Sequence, residues 1–207
     1  MKKALLIIDV QNDYFAGGKS ELVNPFLALS NIIEVLRIFR EERLPIIHIQ
    51  HINTREGATF FLPNTEGALI HKDLTPVDGE YLVVKHAPNS FLGTNLLDIL
   101  TENGITEVVI SGMMSHMCID TTVRACMDYG IKVVLLEDAC ATKKLMFRDR
   151  VIEAEVVHNV FMASLNGMFA KVITTGEINV MYRCSFCPYL GYNALLSFTL
   201  AWWEYCR

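Results

Sequence analysis

Basic charge is what this chain lacks most visibly. Its 18 Lys and Arg are outnumbered by 23 Asp and Glu, giving a net charge of −5 with six histidines counted neutral, so it presents no positive field of the kind that holds nucleic acid. The expected partner is a small molecule. No secretory leader is expected either, because Met1-Lys2-Lys3 is followed by only five apolar residues before Asp9 interrupts, too few for the apolar core of a signal peptide. Six cysteines without such a leader do not read as a disulfide framework. A reducing cytoplasm is the expected compartment.

Apolar residues are abundant instead, at 52% against 20% charged. That balance suits a sheet covered on both faces, and 207 residues fit one large domain. Ala4 to Val10 is a continuous apolar run, as expected of a parallel strand buried on both sides. Asn24-Pro25 reads as a capped helix start, and Phe26, Leu29, Ile32, Ile33, Leu36 and Phe39 recur at helical spacing after it. Further strands are expected at 45–49, 81–84, 107–110, 132–136 and 171–174. Helices are expected at 95–102, from Cys118 to Gly130, and over 149–165. The segment 50–80 is long enough to be functional, and Phe60-Phe61-Leu62 within it offers an apolar wall for a lid. Strand and helix alternate throughout, which predicts an α/β fold: a three-layer αβα, doubly wound, six-stranded and mostly parallel sheet.

In such sheets ligands bind beyond the carboxyl ends of the strands, where the winding reverses. Three chemically able residues fall at those ends: Asp9 after the first strand, Lys85 after the third and Cys118 after the fourth. Singly, each reads more simply as a loop cap, a solvated lysine and a packed thiol. Together they supply an acid/base, a cation and a nucleophile. Asp9 would take the thiol proton, Lys85 would lower the thiol pKa from about 8.5 towards neutrality, and the N–H groups of Met114 and Cys118 would hold the oxyanion of an attacked carbonyl. Gln11, Phe15, Phe60, Phe61 and Phe91 are candidates for lining an apolar slot, with His116 and Arg55 available for a polar or anionic substrate end. Arg124 reads as a structural ion-pair residue, and Cys126 and Cys140 as buried and inert.

The pattern resembles the isochorismatase-like cysteine hydrolase superfamily. The resemblance rests on Leu6-Ile7-Ile8-Asp9-Val10-Gln11-Asn12-Asp13, on Val83-Val84-Lys85 with Asn89-Ser90-Phe91, and on the Gly-x-x-x-x-x-Cys turn from Gly112 to Cys118. It implies an Asp-Lys-Cys triad, a six-stranded parallel sheet, a cis peptide at Met113–Met114, and a homodimer or homotetramer. Nicotinamidases in this superfamily carry an Asp-x-His pair and a later His that bind a metal. Here that stretch reads Ile49-Gln50-His51-Ile52-Asn53-Thr54, so a non-nicotinamidase branch with no metal and no cofactor is expected, although His48, His51 and His71 are available imidazoles. The implied activity is cleavage of a C–N bond of a small amide or ureido substrate through a Cys118 acyl-enzyme. Hydrolysis of a vinyl ether, as in isochorismatases proper, and a catalytically idle member binding a metabolite or partner are the alternatives.

Residues 181–207 differ from the 1–180 hydrolase domain. They hold eight of twenty aromatics, both tryptophans and three of six cysteines, and 184–203 contains no charge. A packed helix, a non-native extension, a membrane tail anchor and a disordered segment compete as readings, with dilution by Pro188, Gly191 and Asn193 counting against the anchor.

Overall fold

A computed structural model of the chain describes residues 2–178; the atypical segment 181–207 lies outside them. Six strands form one parallel sheet: β1 (Lys2–Ile8), β2 (Ile46–His51), β3 (Tyr81–Lys85), β4 (Ile105–Met113), β5 (Lys132–Ala141) and β8 (Lys171–Ile173). Their spatial order is β3-β2-β1-β4-β5-β8, so the chain winds outward from β1 in one direction and then restarts at β4 in the other. The α/β expectation holds.

Burial explains why β1 reads as an unbroken apolar run. Ala4, Leu6 and Ile8 pack into one core layer with α2 (Leu96–Glu102), α3 (Asp120–Asp128) and α4 (Ala154–Leu165), while Leu5 and Ile7 pack into the other with α1 (Pro25–Glu41). The strand has no solvent face on which a polar residue could alternate. Among the described residues no helix is long and apolar enough to cross a membrane.

Three local expectations are corrected. Asn24 takes a left-handed conformation (φ 51°) and its side chain makes no capping bond, so Pro25 alone marks the start of α1. Residues 149–153 are not helical: β6 (Leu145–Phe147) and β7 (Arg150–Ile152) form an antiparallel hairpin whose tight turn carries Arg148 at φ 53°, and α4 begins only at Ala154. Cys118 lies in a π-helical turn, Ser115–Ile119, ahead of α3 rather than in the first turn of an α-helix.

Two glycines let the chain close on itself beside the crevice. Gly112 pairs with Ile8 across the β1–β4 boundary at φ 131°, and a Cβ there would meet Ile8 O at 2.0 Å. Gly67 faces the buried Asp13 carboxylate, where a Cβ would stand 2.1 Å from Oδ1. Asp13 Oδ2 accepts the Phe61 N–H (2.6 Å) and Oδ1 the Lys19 N–H (3.1 Å), so one buried carboxylate fastens the segment after β2 onto the turn after β1.

Candidate active site

The winding reverses between β1 and β4, and Asp9 and Cys118 flank that point. Asp9 follows β1 at φ 53°, a conformation Asp tolerates better than most residues. Its N–H donates to Ile49 O (3.0 Å) and its carbonyl accepts from Gln11 N–H (3.1 Å), which ties the turn to β2. Lys85 ends β3, two strands away, and its stem crosses the end of β2. Its Nζ lies 2.8 Å from Asp9 Oδ2, with both side chains fully buried. The ammonium also donates to Ala87 O (3.0 Å) and Pro88 O (3.3 Å), and it lies 3.3 Å from His51 Nδ1. The Cys118 sulfur lies within 4.8 Å of an Asp9 carboxylate oxygen and of a His51 ring nitrogen. The Met113–Met114 peptide preceding its turn is cis.

The electrostatics differ from the sequence expectation in one respect. Burial and the Asp9 carboxylate push the Cys118 thiol well above its ordinary value, and Lys85 offsets them only in part. The ammonium cannot lower the thiol towards neutrality because Asp9 already neutralises it at 2.8 Å. Burial also raises Asp9, by more than Lys85 and Cys118 lower it. Burial alone would lower Lys85, but Asp9 and Cys118 hold it above the usual lysine range. The resting site is therefore a thiol beside a carboxylate that is a stronger base than usual. Burial and the charges of Lys85, Arg55 and His86 push His51 down to about 4, so at neutral pH its Nδ1 accepts from Lys85.

A cleft of about 170 Å³ opens onto Cys118. Met114 and Cys118 line it together with Tyr14, Phe60 and His51, and Asn53 and Arg55 join them from the segment after β2. Two larger hollows, of about 300 Å³ between α1 and α4 and about 510 Å³ at the amino ends of β4 and β5, contain none of Asp9, Lys85 or Cys118. Chemistry rather than size singles out the small cleft.

Of the residues expected to line the slot, Phe60 does. Gln11 is instead a buried clamp: its Nε2 donates to His51 O (2.9 Å) and Ala68 O (2.7 Å), and its Oε1 accepts from His51 N–H (2.8 Å). Phe15 packs on Phe26 and His71, Phe61 lies behind the wall against Tyr14, and Phe91 packs on Tyr129 in the opposite core layer. His116 turns to Thr142 Oγ1 and Phe161. Tyr14, missed from sequence, takes the place given to Phe15 because the 3₁₀ turn Asn12–Tyr14 sends the two rings in different directions. Burial and the nearby Cys118 and Asp9 push its phenol well above 10, so it is a neutral wall. Arg124 pairs with Asp120 (2.9 Å), and Cys126 and Cys140 are buried free thiols pushed up to about 12 by burial, as expected.

The three available imidazoles do not converge. His48 bonds Glu80 (2.8 Å) and His71 accepts from Asp73 N–H (3.4 Å), leaving His51, whose ligand atom lies within 4.8 Å of those of Asp9 and Cys118. A thiolate, an imidazole and a carboxylate are zinc-type donors. Here the Lys85 ammonium stands 2.8 Å from one of them and 3.3 Å from another.

A doubly wound parallel sheet with a thiol, a carboxylate and an ammonium at its switch point defines a class of α/β hydrolytic sites. Residues 3–177 match the family model described as the isochorismatase domain. The chain belongs to the isochorismatase family and is a hydrolase. It is 50% identical over 175 residues to the isochorismatase family protein YddQ of Bacillus subtilis, covering 84% of this chain and 97% of that one. It is 35% identical to the secreted isochorismatase effector Isc1 of Verticillium dahliae, covering 84% and 89%. The crystal structure of an isochorismatase-family hydrolase from Oleispira antarctica superposes with a TM-score of 0.82 at 40% identity, covering 86% of this chain and 95% of that one.

Proposed function

We propose that the protein is a cysteine hydrolase that cleaves a C–N bond of a small amide or ureido compound. The observation that carries this reading is the buried Asp9–Lys85 ion pair with the Cys118 sulfur beside the Asp9 carboxylate, at the head of a cleft onto which the thiol opens. Asp9, with its raised basicity, takes the thiol proton as sulfur attacks the carbonyl carbon. The oxygen of the tetrahedral intermediate is received by the N–H groups of Met114 and Cys118. On collapse the C–N bond breaks, Asp9 returns the proton to the leaving nitrogen, and a thioester remains. Water, deprotonated by Asp9, attacks that thioester and releases the carboxylic acid and the thiol. Lys85 keeps the net charge of the buried group near balance at each stage, which matters because an uncompensated charge in such a site is costly.

A second reading has one observation in its favour. A carboxyl whose pKa is raised is also a better proton donor near neutral pH, and protonation is what vinyl-ether cleavage requires. Isochorismate is the substrate the name of the Verticillium relative implies. One assay separates the two readings: wild type and Cys118→Ala against a panel of small amides, ureido compounds and isochorismate. The covalent route predicts turnover of an amide or ureido compound and a loss of about 10³-fold or more in Cys118→Ala. Undiminished turnover by Cys118→Ala overturns that route, and turnover confined to isochorismate establishes the second.

A further inference from the structure

The cleft also carries information about the far end of the substrate. Its volume of about 170 Å³ is well below the ~300–1,000 Å³ of sites for drug-sized ligands, so the part held inside is only a few atoms larger than the reacting group. Cys118 and Met114 occupy one part of it, and Tyr14 and Phe60 form an aromatic wall. Neither Asp nor Glu lines it among the described residues. Asp9 beneath Cys118 is matched by Lys85, and Asp13 is occupied by the N–H groups of Phe61 and Lys19.

Arg55 is different. Its guanidinium is exposed at the cleft, and among the described residues no carboxylate pairs with it. Nor is it on a loose loop. Asn53 N–H donates to Phe61 O (2.8 Å), Arg55 N–H to Asn53 Oδ1 (3.3 Å), and Ala58 N–H to Arg55 O (3.1 Å). Phe61 is in turn fastened to buried Asp13 (2.6 Å). A second cation lies outside the cleft lining: Lys143 Nζ stands 5.9 Å from the centre of the Phe60 ring and donates to Ser20 Oγ (3.1 Å). A planar, always-charged fork beside a small aromatic-walled cleft, with no acid of its own to satisfy it, suits a carboxylate.

We infer that the substrate is a small amide or ureido compound bearing a carboxylate remote from its scissile bond, and that Arg55 receives this carboxylate. The inference rests on the cysteine-hydrolase reading and adds the charge of the substrate to it.

Two alkylating reagents of nearly equal size test it without knowledge of the natural substrate. Iodoacetate carries a carboxylate and iodoacetamide a neutral amide; both are attacked by the Cys118 sulfur at the same carbon, with iodide leaving. The rates of Cys118 modification are followed by peptide mass spectrometry for wild type and Arg55→Gln, and expressed as the iodoacetate-to-iodoacetamide ratio. Loss of a charge-assisted contact lowers that ratio by about tenfold in Arg55→Gln. Raising ionic strength lowers it in wild type and leaves it flat in the variant. An unchanged ratio in Arg55→Gln overturns the inference while leaving the thiol chemistry intact. By contrast, a lowered ratio accompanied by undiminished hydrolysis in Cys118→Ala would uphold the anion site and reject the covalent mechanism. Succinamate against succinamide gives the corresponding comparison in turnover, with KM for the anionic member rising in Arg55→Gln.

Discussion

Two buried acidic side chains lie near the ends of β3 and β1, the strands on either side of β2, and they are opposites. Glu80, just before β3, accepts from Arg40 Nε (2.7 Å), Arg40 Nη2 (3.0 Å), His48 Nε2 (2.8 Å) and Val77 N–H (3.1 Å). Burial would raise its pKa, but those hydrogen bonds outweigh it and hold the carboxyl below its usual range. Asp9, beyond β1, is fully buried with Lys85 as its close ion-pair partner and Cys118 beside it, and there burial wins. A saturated carboxylate joins α1, β2 and the segment before β3; an under-saturated one keeps a basicity that can be used on a thiol. The same contrast runs through the cysteines. Cys118, Cys126 and Cys140 are all buried thiols with raised pKa values, and what distinguishes Cys118 is the Asp9–Lys85 pair beside it.

The comparison breaks most directly if the two carboxylates prove interchangeable in effect. Asp9→Asn should lower kcat/KM by about 10³-fold or more, because an amide cannot take the thiol proton. Glu80→Gln should change it by less than about tenfold, since Glu80 touches neither thiol nor cleft. Similar losses in both would mean that Glu80 acts on the site or that Asp9 is only structural.

The pH profile sharpens the same contrast. Asp9 must be ionised to accept a proton, so activity is present above its folded pKa and falls as pH drops through it. That pKa is raised from 3.8, which places the acid limb of kcat/KM above the ordinary Asp range. His51, pushed down to about 4, is the other titratable group beside the thiol. With Asp9 as the base the limb should remain in His51→Asn, and its disappearance would reassign the titration to the imidazole.

Much of this was legible in the sequence because the fold is of a kind that writes itself plainly. Strands buried on both faces leave continuous apolar runs, and Asp9, Lys85 and Cys118 stand where those runs stop. Irregular backbone is less readable. Nothing in the spacing of Asp13-Tyr14-Phe15 tells which aromatic ring a 3₁₀ turn aims at the thiol. Likewise, the amide of Gln11 spends all three of its hydrogen bonds on backbone groups contributed by β2 and Ala68, pairings that only the fold creates. The hairpin at 145–152 was hidden by Val151 and Ile152, which fit a helical pattern continuing into α4 as well as they fit a strand. The depression of a thiol pKa by lysine failed for a reason of distance: a charge 2.8 Å from Asp9 is already matched when the thiol meets it.

Stability should order the two carboxylates in the reverse way with respect to acid. Glu80 has a depressed pKa, so its contribution is present above its unfolded value of 4.5 and is lost as pH falls through the folded value. Asp9, with a raised pKa, contributes below 3.8 and loses that contribution as pH rises through its folded value. Glu80→Gln should therefore lower the urea stability at pH 7 by about 1–3 kcal/mol and flatten the loss of stability on acidification below pH 4.5. An unaltered acid branch in Glu80→Gln would show that its bonds are made equally in the unfolded chain or matter little.

The smallest effect isolates geometry from charge. Arg40 grips Glu80 with two nitrogens and also donates from Nη2 to Thr75 O (3.2 Å), so one guanidinium fastens α1 to the segment that leads into β3. A lysine at this position keeps the charge but not the planar fork, and can replace only part of that set. Arg40→Lys should cost about 1 kcal/mol in urea titration, less than Glu80→Gln, because His48 and Val77 continue to serve the carboxylate. Its kcat/KM should stay within about twofold of wild type, since β3 still ends with Lys85 two strands from Asp9 and the pairs of β2 with β3 that set that reach are untouched. A larger fall in activity than in stability would mean that Arg40, through Glu80, governs where Lys85 is held, and the two buried clusters would then be one device rather than two.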